Sequence, residues 1–214
     1  YIQLAHKQMD QYHIRFSKQT PDERNTIKQQ NLSRGYHTIE DSQWFVHGLE
    51  AIVTLHDYRY TNTNHGYPHN HDFFEIVYVY SGKCMSLISG KEQMLYSGDI
   101  CLYNLQAIHR LQRFQPEDTV FNILIRQDLF QRSFLDMLAE NDMITDFFIQ
   151  SIYTINNRAG QIVLHPDPDY HCEELIQSIV EVYYQDKPMS QSMMKALLVL
   201  LLGEMTRQYR SHFD

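Results

Sequence analysis

Glycine punctuates the middle of this chain at a fixed interval. Gly82, Gly90 and Gly98 recur every eight residues, inside the polar turns Ser81-Gly82-Lys83, Ser89-Gly90-Lys91 and Ser97-Gly98-Asp99. The stretches around them are short and rich in Val, Ile, Tyr and Phe, residues that suit a pleated, half-buried surface. Turn signals at this spacing are those of hairpins in an antiparallel sandwich or barrel, so the segment from Trp44 to about Arg126 reads as β-structure. One strand is legible in detail. Phe73, Glu75, Val77 and Val79 share one face, and Phe74, Ile76, Tyr78 and Tyr80 share the other. Both faces are largely apolar, which predicts a strand covered on both sides. A carboxylate there needs an interior partner, because an unpaired buried charge is costly.

The flanks have a different texture. Residues 1–43 are polar and rich in Gln, Asn and charge. Ile2, Met9, Tyr12 and Phe16 make one thin helical stripe, and Thr20-Pro21-Asp22-Glu23 has the form of a helix start; a loosely packed leader fits the composition as well. Beyond Arg126 apolar residues fall at three- and four-residue steps: Leu129, Phe130, Phe134, Met137 and Leu138. Asn141-Asp142 then caps a segment with Met143, Ile144, Phe147, Phe148 and Ile152. Pro166-Asp167-Pro168-Asp169 opens a helix with Leu175, Ile176, Ile179, Val182 and Tyr183 on one face, which Lys187-Pro188 stops. A last helix runs from about Ser190 to Arg210. Three regions result: a polar, helical segment at 1–43, a β-domain at 44–127 and a helical region at 128–214.

Bulk properties narrow the function classes. Of 214 residues 43% are hydrophobic, enough for a packed core, and the net charge is −8 with only 18 Lys plus Arg. A surface that neutralises DNA phosphates is normally a basic patch, so this stretch is not expected to grip DNA itself. Cys84, Cys101 and Cys172 are odd in number and form no Cys-x-x-Cys pair, which argues against a disulfide framework or a cysteine zinc site. The longest apolar run, Ala196 to Leu202, is seven residues, against roughly 18–20 for a membrane span. The first residues lack an apolar signal core. A soluble cytoplasmic protein without membrane contact is the expectation.

The chemistry concentrates in His69-Asn70-His71-Asp72-Phe73-Phe74-Glu75, which ends six residues before Gly82. At a side-chain period of two, His69, His71, Phe73 and Glu75 fall on one face, and two imidazoles with a carboxylate suit a divalent metal or a hydroxyl-rich ligand. A second block follows: Gly98, five residues, Asn104-Leu105-Gln106, two residues, His109. These blocks are similar to the paired motifs of the cupin superfamily, whose metal-binding members take two His and a Glu from the first block and a third His from the second. The resemblance implies the ligand set His69, His71, Glu75 and His109, with Zn, Ni, Mn or Fe as the candidate metal. Departures are visible. The Pro-x-Gly turn of the second block is Asn104-Leu105-Gln106 here, its final Asn is Arg113, and the upstream Gly66 stands closer to the first His than in the family.

The runs His71–Gly82, Gly98–Leu102 and Ala107–Arg110, with the helical tail, resemble the sensor domains of the arabinose-regulator (AraC) family over roughly residues 45–214. That resemblance implies a mainly β plus α fold, a cupin-type antiparallel β-barrel (double-stranded β-helix) followed by a C-terminal helical dimerisation region. It also implies a non-enzymatic role, with a small effector such as a sugar bound in the barrel by His69, His71, Glu75, His109, Phe73 and Asn104. The family's DNA-reading helix-turn-helix pair is expected beyond Asp214, outside this chain. The rival reading is a metal-dependent cupin enzyme, a dioxygenase or sugar isomerase, using the same cluster.

Two further expectations concern packing. Inward alternation nominates Phe73, Val77, Met85, Leu87, Leu102, Asn104 and Leu111 as pocket walls, with Trp44 and Tyr103 as rings to stack on a ligand. His47, His56, His65, His165 and His171 read as ordinary surface or loop residues. The helix from Met193 to Met205 is apolar nearly all round, whereas a helix on the outside of a barrel has one wet face. Met194, Leu197, Leu198, Leu201 and Met205 are therefore nominated as a homodimer contact; the alternative is a helix sandwiched within one chain.

Overall fold

The computed structural model describes residues 1–17, 35–45, 48–56, 68–88, 90–113, 115–133, 146 and 160–211. In chain order they form α1 (Ile2–Ser17), β1 (His37–Ile39), α2 (Asp41–Trp44), β2 (Ala51–Leu55), β3 (His69–His71), β4 (Phe73–Ser81), β5 (Lys83–Ile88), β6 (Lys91–Tyr96), β7 (Ile100–Tyr103), β8 (His109–Arg113), β9 (Thr119–Arg126), α3 (Gln127–Ser133), β10 (Gln161–Leu164), α4 (Cys172–Gln185) and α5 (Ser190–Ser211). The strands make two five-stranded sheets, ordered β1-β3-β8-β5-β6 and β10-β7-β4-β9-β2. All pairings are antiparallel except β1 with β3.

The sheets face each other across an interior that includes Val77, Val79, Cys84, Leu95, Cys101, Tyr103, Leu111 and Val120. The outer face of the second sheet carries the larger core. There Phe74, Ile76, Tyr78, Phe121, Ile123 and Ile125 meet Ile176 and Ile179 of α4 and Met194, Leu198, Leu201, Leu202 and Met205 of α5. β4 is thus covered on both sides, as its two apolar faces imply. The expected cupin-type fold with C-terminal helices is present.

The glycine turns work as read. Gly82 has φ +78° and Gly98 φ +90°, a region that costs a side chain but not glycine. A Cβ at Gly82 would lie 2.1 Å from Asp118 Oδ1, and one at Gly98 2.3 Å from Pro166 Cγ, so these corners exclude any side chain. The carboxylate of Asp118 in turn accepts the Lys83 and Gln115 N–H groups, closing the β4–β5 corner on the β8–β9 loop. At the helical end, Asp186 in the left-handed conformation (φ 46°) terminates α4 just before Lys187-Pro188.

β1 lies within the expected helical leader, and β10 lies within the expected helical region, yet both are sheet members. β10 pairs with β7 from Gln161↔Tyr103 to Leu164↔Ile100. A four-residue strand carries too little periodicity to stand out, and its pairing is entirely non-local. α4 begins at Cys172, a few residues after the expected start. Thr20–Glu23, Phe134–Leu138, Asn141–Ile144, Phe147, Phe148 and Ile152, with His47, His65 and the side chains of Tyr12 and Phe16, lie outside the described residues. The three cysteines are free and buried. No helix among the described residues is long and apolar enough to cross a membrane.

Candidate functional site

Asp72 interrupts what the sequence presents as one strand. β3 before it belongs to one sheet and β4 after it to the other, and the Asp72 carboxylate receives the Asp41 N–H at 2.7 Å. The chain turns a corner here, yet the alternation survives the turn, so His71 and Glu75 meet in the interior. β8 completes the group, since His69 and His109 are directly opposite in the β3–β8 ladder.

Glu75 is the centre. Its Oε2 lies 2.9 Å from His71 Nε2 and 3.0 Å from His109 Nε2, and all three residues are buried. The far nitrogen of each ring meets a backbone carbonyl: His71 Nδ1 and Phe73 O at 2.5 Å, His109 Nδ1 and Ala107 O at 3.0 Å. Burial pushes the Glu75 carboxyl up, but hydrogen bonding to His109 and His71 outweighs it and holds the group well below the usual carboxylate range. Each ring nitrogen of His71 and His109 therefore faces an acceptor, and which of them carries the hydrogen depends on the tautomer.

His69 sits partly exposed at the edge of this group, its ring centroid 4.5 Å from that of His109. Ligand atoms of His69, Glu75 and His109 lie within 4.8 Å of one another, and His71 joins through its own contact with Glu75. The donor set therefore fits a divalent metal, and the carbonyl contacts at Nδ1 are the kind of outer support that orients metal-binding imidazoles. Aromatic walls fix the rings. Phe73 stacks on His71 at 4.4 Å and 9°, and Tyr103 stacks on His109 at 4.0 Å and 10°.

Several nominated residues have other roles. Asn104 is buried but serves the turn: its Oδ1 accepts the Gly160 N–H at 3.1 Å, and its backbone pairs with Gly160 and Ala107. It braces the start of β10, a partner invisible without the fold. Met85 and Leu87 are only partly buried, and the inward residues of β5 are Cys84, Ser86 and Ile88; the register is offset by one from the expectation. Leu102 faces the helices. Val77 and Leu111 do line the interior. Tyr103 is wholly buried, its hydroxyl donating to Ser86 at 2.5 Å, so it packs as a wall. Trp44 packs beside Phe73 in a small core with Phe45, Ile52 and Leu124. His165 bonds the buried Asp99 at 2.8 Å.

The sequence reading missed Asn122. In β9 its neighbours Phe121 and Ile123 face the helices, so Asn122 faces inward, opposite Val77 and Thr54. Its Oδ1 is buried without a hydrogen-bond partner among the described residues, an open acceptor. The signal was a polar residue at an inward position of Thr-Val-Phe-Asn-Ile-Leu-Ile-Arg.

A sequence model of the family described as AraC-like ligand binding domain matches residues 50–202. The chain belongs to this family. No curated protein sequence matches it. Among solved structures, the AraC-like domain is similar to ligand-free ToxT from Vibrio cholerae, at 13% identity and a TM-score of 0.53 over 75% of this chain and 57% of that one. Unsaturated fatty acid-bound ToxT from the same organism matches at 11% identity and a TM-score of 0.49, covering 76% and 55%. The AraC-like transcriptional activator CuxR matches at 12% identity and a TM-score of 0.37, covering 62% and 42%. The chain thus spans little more than half the length of ToxT.

Proposed function

We propose that this AraC-like domain is the effector-sensing and dimerising part of a cytoplasmic bacterial transcription regulator, whose DNA contact belongs to a helix-turn-helix part outside this sequence. The cluster around Glu75 carries the reading: two imidazoles and a carboxylate, held by backbone carbonyls beside the partly exposed His69, are polar groups that suit a polyhydroxylated small molecule. Asn122 Oδ1 offers a further acceptor inside the barrel. A sugar or related polyol held by His69, His71, Glu75 and His109 against Phe73 fits this chemistry. A ligand that binds one arrangement of barrel, leader and tail better than another shifts the population between them, which is how occupancy would reach the DNA-reading part.

Met194, Leu198, Leu201 and Met205, nominated from sequence as the dimer contact, are wholly buried within the chain. They pack against α4 and the sheet, so the sandwiched alternative holds for that side of α5. Its other side still carries exposed Met193 and Leu200 with half-buried Leu197. We assign the homodimer contact to that stripe, where Met193, Ala196, Leu200 and Gly203 follow three- and four-residue steps.

Thermal shift against pentoses, hexoses and uronates tests the ligand class. A ligand at a hundred times its Kd should raise the melting temperature by roughly 5–10 °C, and Glu75→Gln should abolish the rise. A sugar-induced rise that persists in both Glu75→Gln and His109→Ala would refute the site. The second reading, a metal-dependent enzyme, draws on the close donor atoms of His69, Glu75 and His109. Stoichiometric Zn, Ni, Mn or Fe on purified protein, together with turnover, would put it first.

A further inference from the structure

Outside the barrel a cavity of about 580 Å³ opens between the start of α1, the outer face of β4 and β9, and α4. Four aromatic rings line it, Tyr1, Tyr78, Tyr80 and Phe121, with Leu4 from α1 and Glu181 from α4. The strands place three of these rings side by side, because Tyr78 and Phe121 are cross-strand partners and Tyr80 follows on the same face. Tyr80 stands edge-on to both: 6.4 Å and 73° from Tyr78, 6.0 Å and 81° from Phe121. Rings near right angles form the corner of a box, and each ring's π face is electron-rich.

Among the described residues the lining side chains include Glu181 and no Lys, Arg or His. Glu181 accepts the Tyr1 hydroxyl at 2.8 Å and the Gln185 amide at 2.7 Å through Oε1. Glu173 accepts the Tyr78 hydroxyl at 2.8 Å and the Gln177 amide at 3.2 Å, also through Oε1. Two of the four rings thus donate to carboxylates, which polarises them towards higher electron density. The exposed Glu181 carboxylate at the rim disfavours an anionic ligand and favours a cation.

We propose that this cavity is a second ligand site, separate from the barrel, for an organic cation. An alkyl- or arylammonium group seats against Tyr1, Tyr78, Tyr80 and Phe121, and Glu181 balances its charge. Aromatic boxes recognise such groups because the cation meets ring faces on several sides without needing hydrogen bonds. The occupant touches α1 and α4 together, so it favours the arrangement in which α1 is docked on the body.

Isothermal titration of the whole chain with benzyltrimethylammonium, choline and the neutral carbon isostere of choline, 3,3-dimethyl-1-butanol, tests the assignment. Choline should bind at least about 5-fold tighter than the isostere, and Tyr80→Leu and Glu181→Gln should each weaken both ammonium probes about 5-fold while moving the isostere less than about 2-fold. Tyr80 is 44% exposed and Glu181 is exposed, so both variants should melt with the wild type. Equal binding of choline and its isostere would overturn the cation assignment. Unchanged ammonium affinity in both variants would overturn the site.

Discussion

β4 shows two kinds of packing on a single strand. On its outer face Phe74, Ile76 and Tyr78 enter a dry core with α4 and α5. On its inner face, one residue out of phase, Glu75 holds two histidines between Phe73 and Val77. The outer face gains from removing apolar area from water and tolerates exchange of one apolar group for another of similar shape. The inner face buries a charge and is held by hydrogen bonds with defined partners, so it gains little from size and depends on chemical identity. The difference teaches that the helices are fastened through one face of β4 while the histidine–glutamate cluster stands on the other.

Truncating the outer core should produce the largest effect. Leu198→Ala, at a wholly buried position on α5, is expected to lower unfolding free energy by about 2–5 kcal/mol, with the Glu75 ligand response intact in whatever fraction stays folded. Urea denaturation alongside the thermal-shift assay measures both. Loss of the response at a temperature where the variant remains folded would show that the two faces are coupled.

On the inner face, Glu75→Gln is expected to lower stability at neutral pH by about 1–3 kcal/mol, because both rings exchange a shared charged acceptor for a neutral amide. Its acid dependence should differ from the wild type. The folded-state pKa of Glu75 is depressed below the ordinary 4.5. Its contribution is therefore fully present above about 4.5 and is lost as pH falls through the folded value. Denaturation midpoints between pH 6 and pH 3 should fall less steeply in Glu75→Gln. Parallel slopes in the two proteins would show that the cluster does not hold the carboxylate as described.

The smallest effect on the monomer is expected from Leu200→Glu, since Leu200 is 56% exposed. Its unfolding free energy should change by less than about 0.5 kcal/mol, while sedimentation shows a shift from dimer towards monomer. An unchanged dimer would move the contact off α5.

Legibility followed the range of the interactions. The turns at Gly82 and Gly98, the strand from Phe73, the end of α4 and the span of α5 were readable because each follows from local period or backbone demand. His71 and Glu75 were readable because alternation carries through the corner at Asp72, and His109 through the resemblance of its block to the cupin motif. Met85 and Leu87 were misplaced because Lys-Cys-Met-Ser-Leu-Ile supports either register, and only pairing with β6 and β8 decides which side faces in. The bond from Gly160 to Asn104 was not legible, because Gly160 is distant in sequence.

What the chain determines by itself is therefore a β-domain with helices behind it and a histidine–glutamate cluster on a strand dry on both sides. Period, turn chemistry and the cost of a buried carboxylate require that much. The tertiary structure decided the rest: that β1 and β10 join the sheets, that most of the apolar side of α5 is internal core, and that Asn122 points an open acceptor inward. It also placed three β-strand rings beside Tyr1 and Glu181. Each of these depends on which distant surfaces meet, and burial and pairing are settled only when they do.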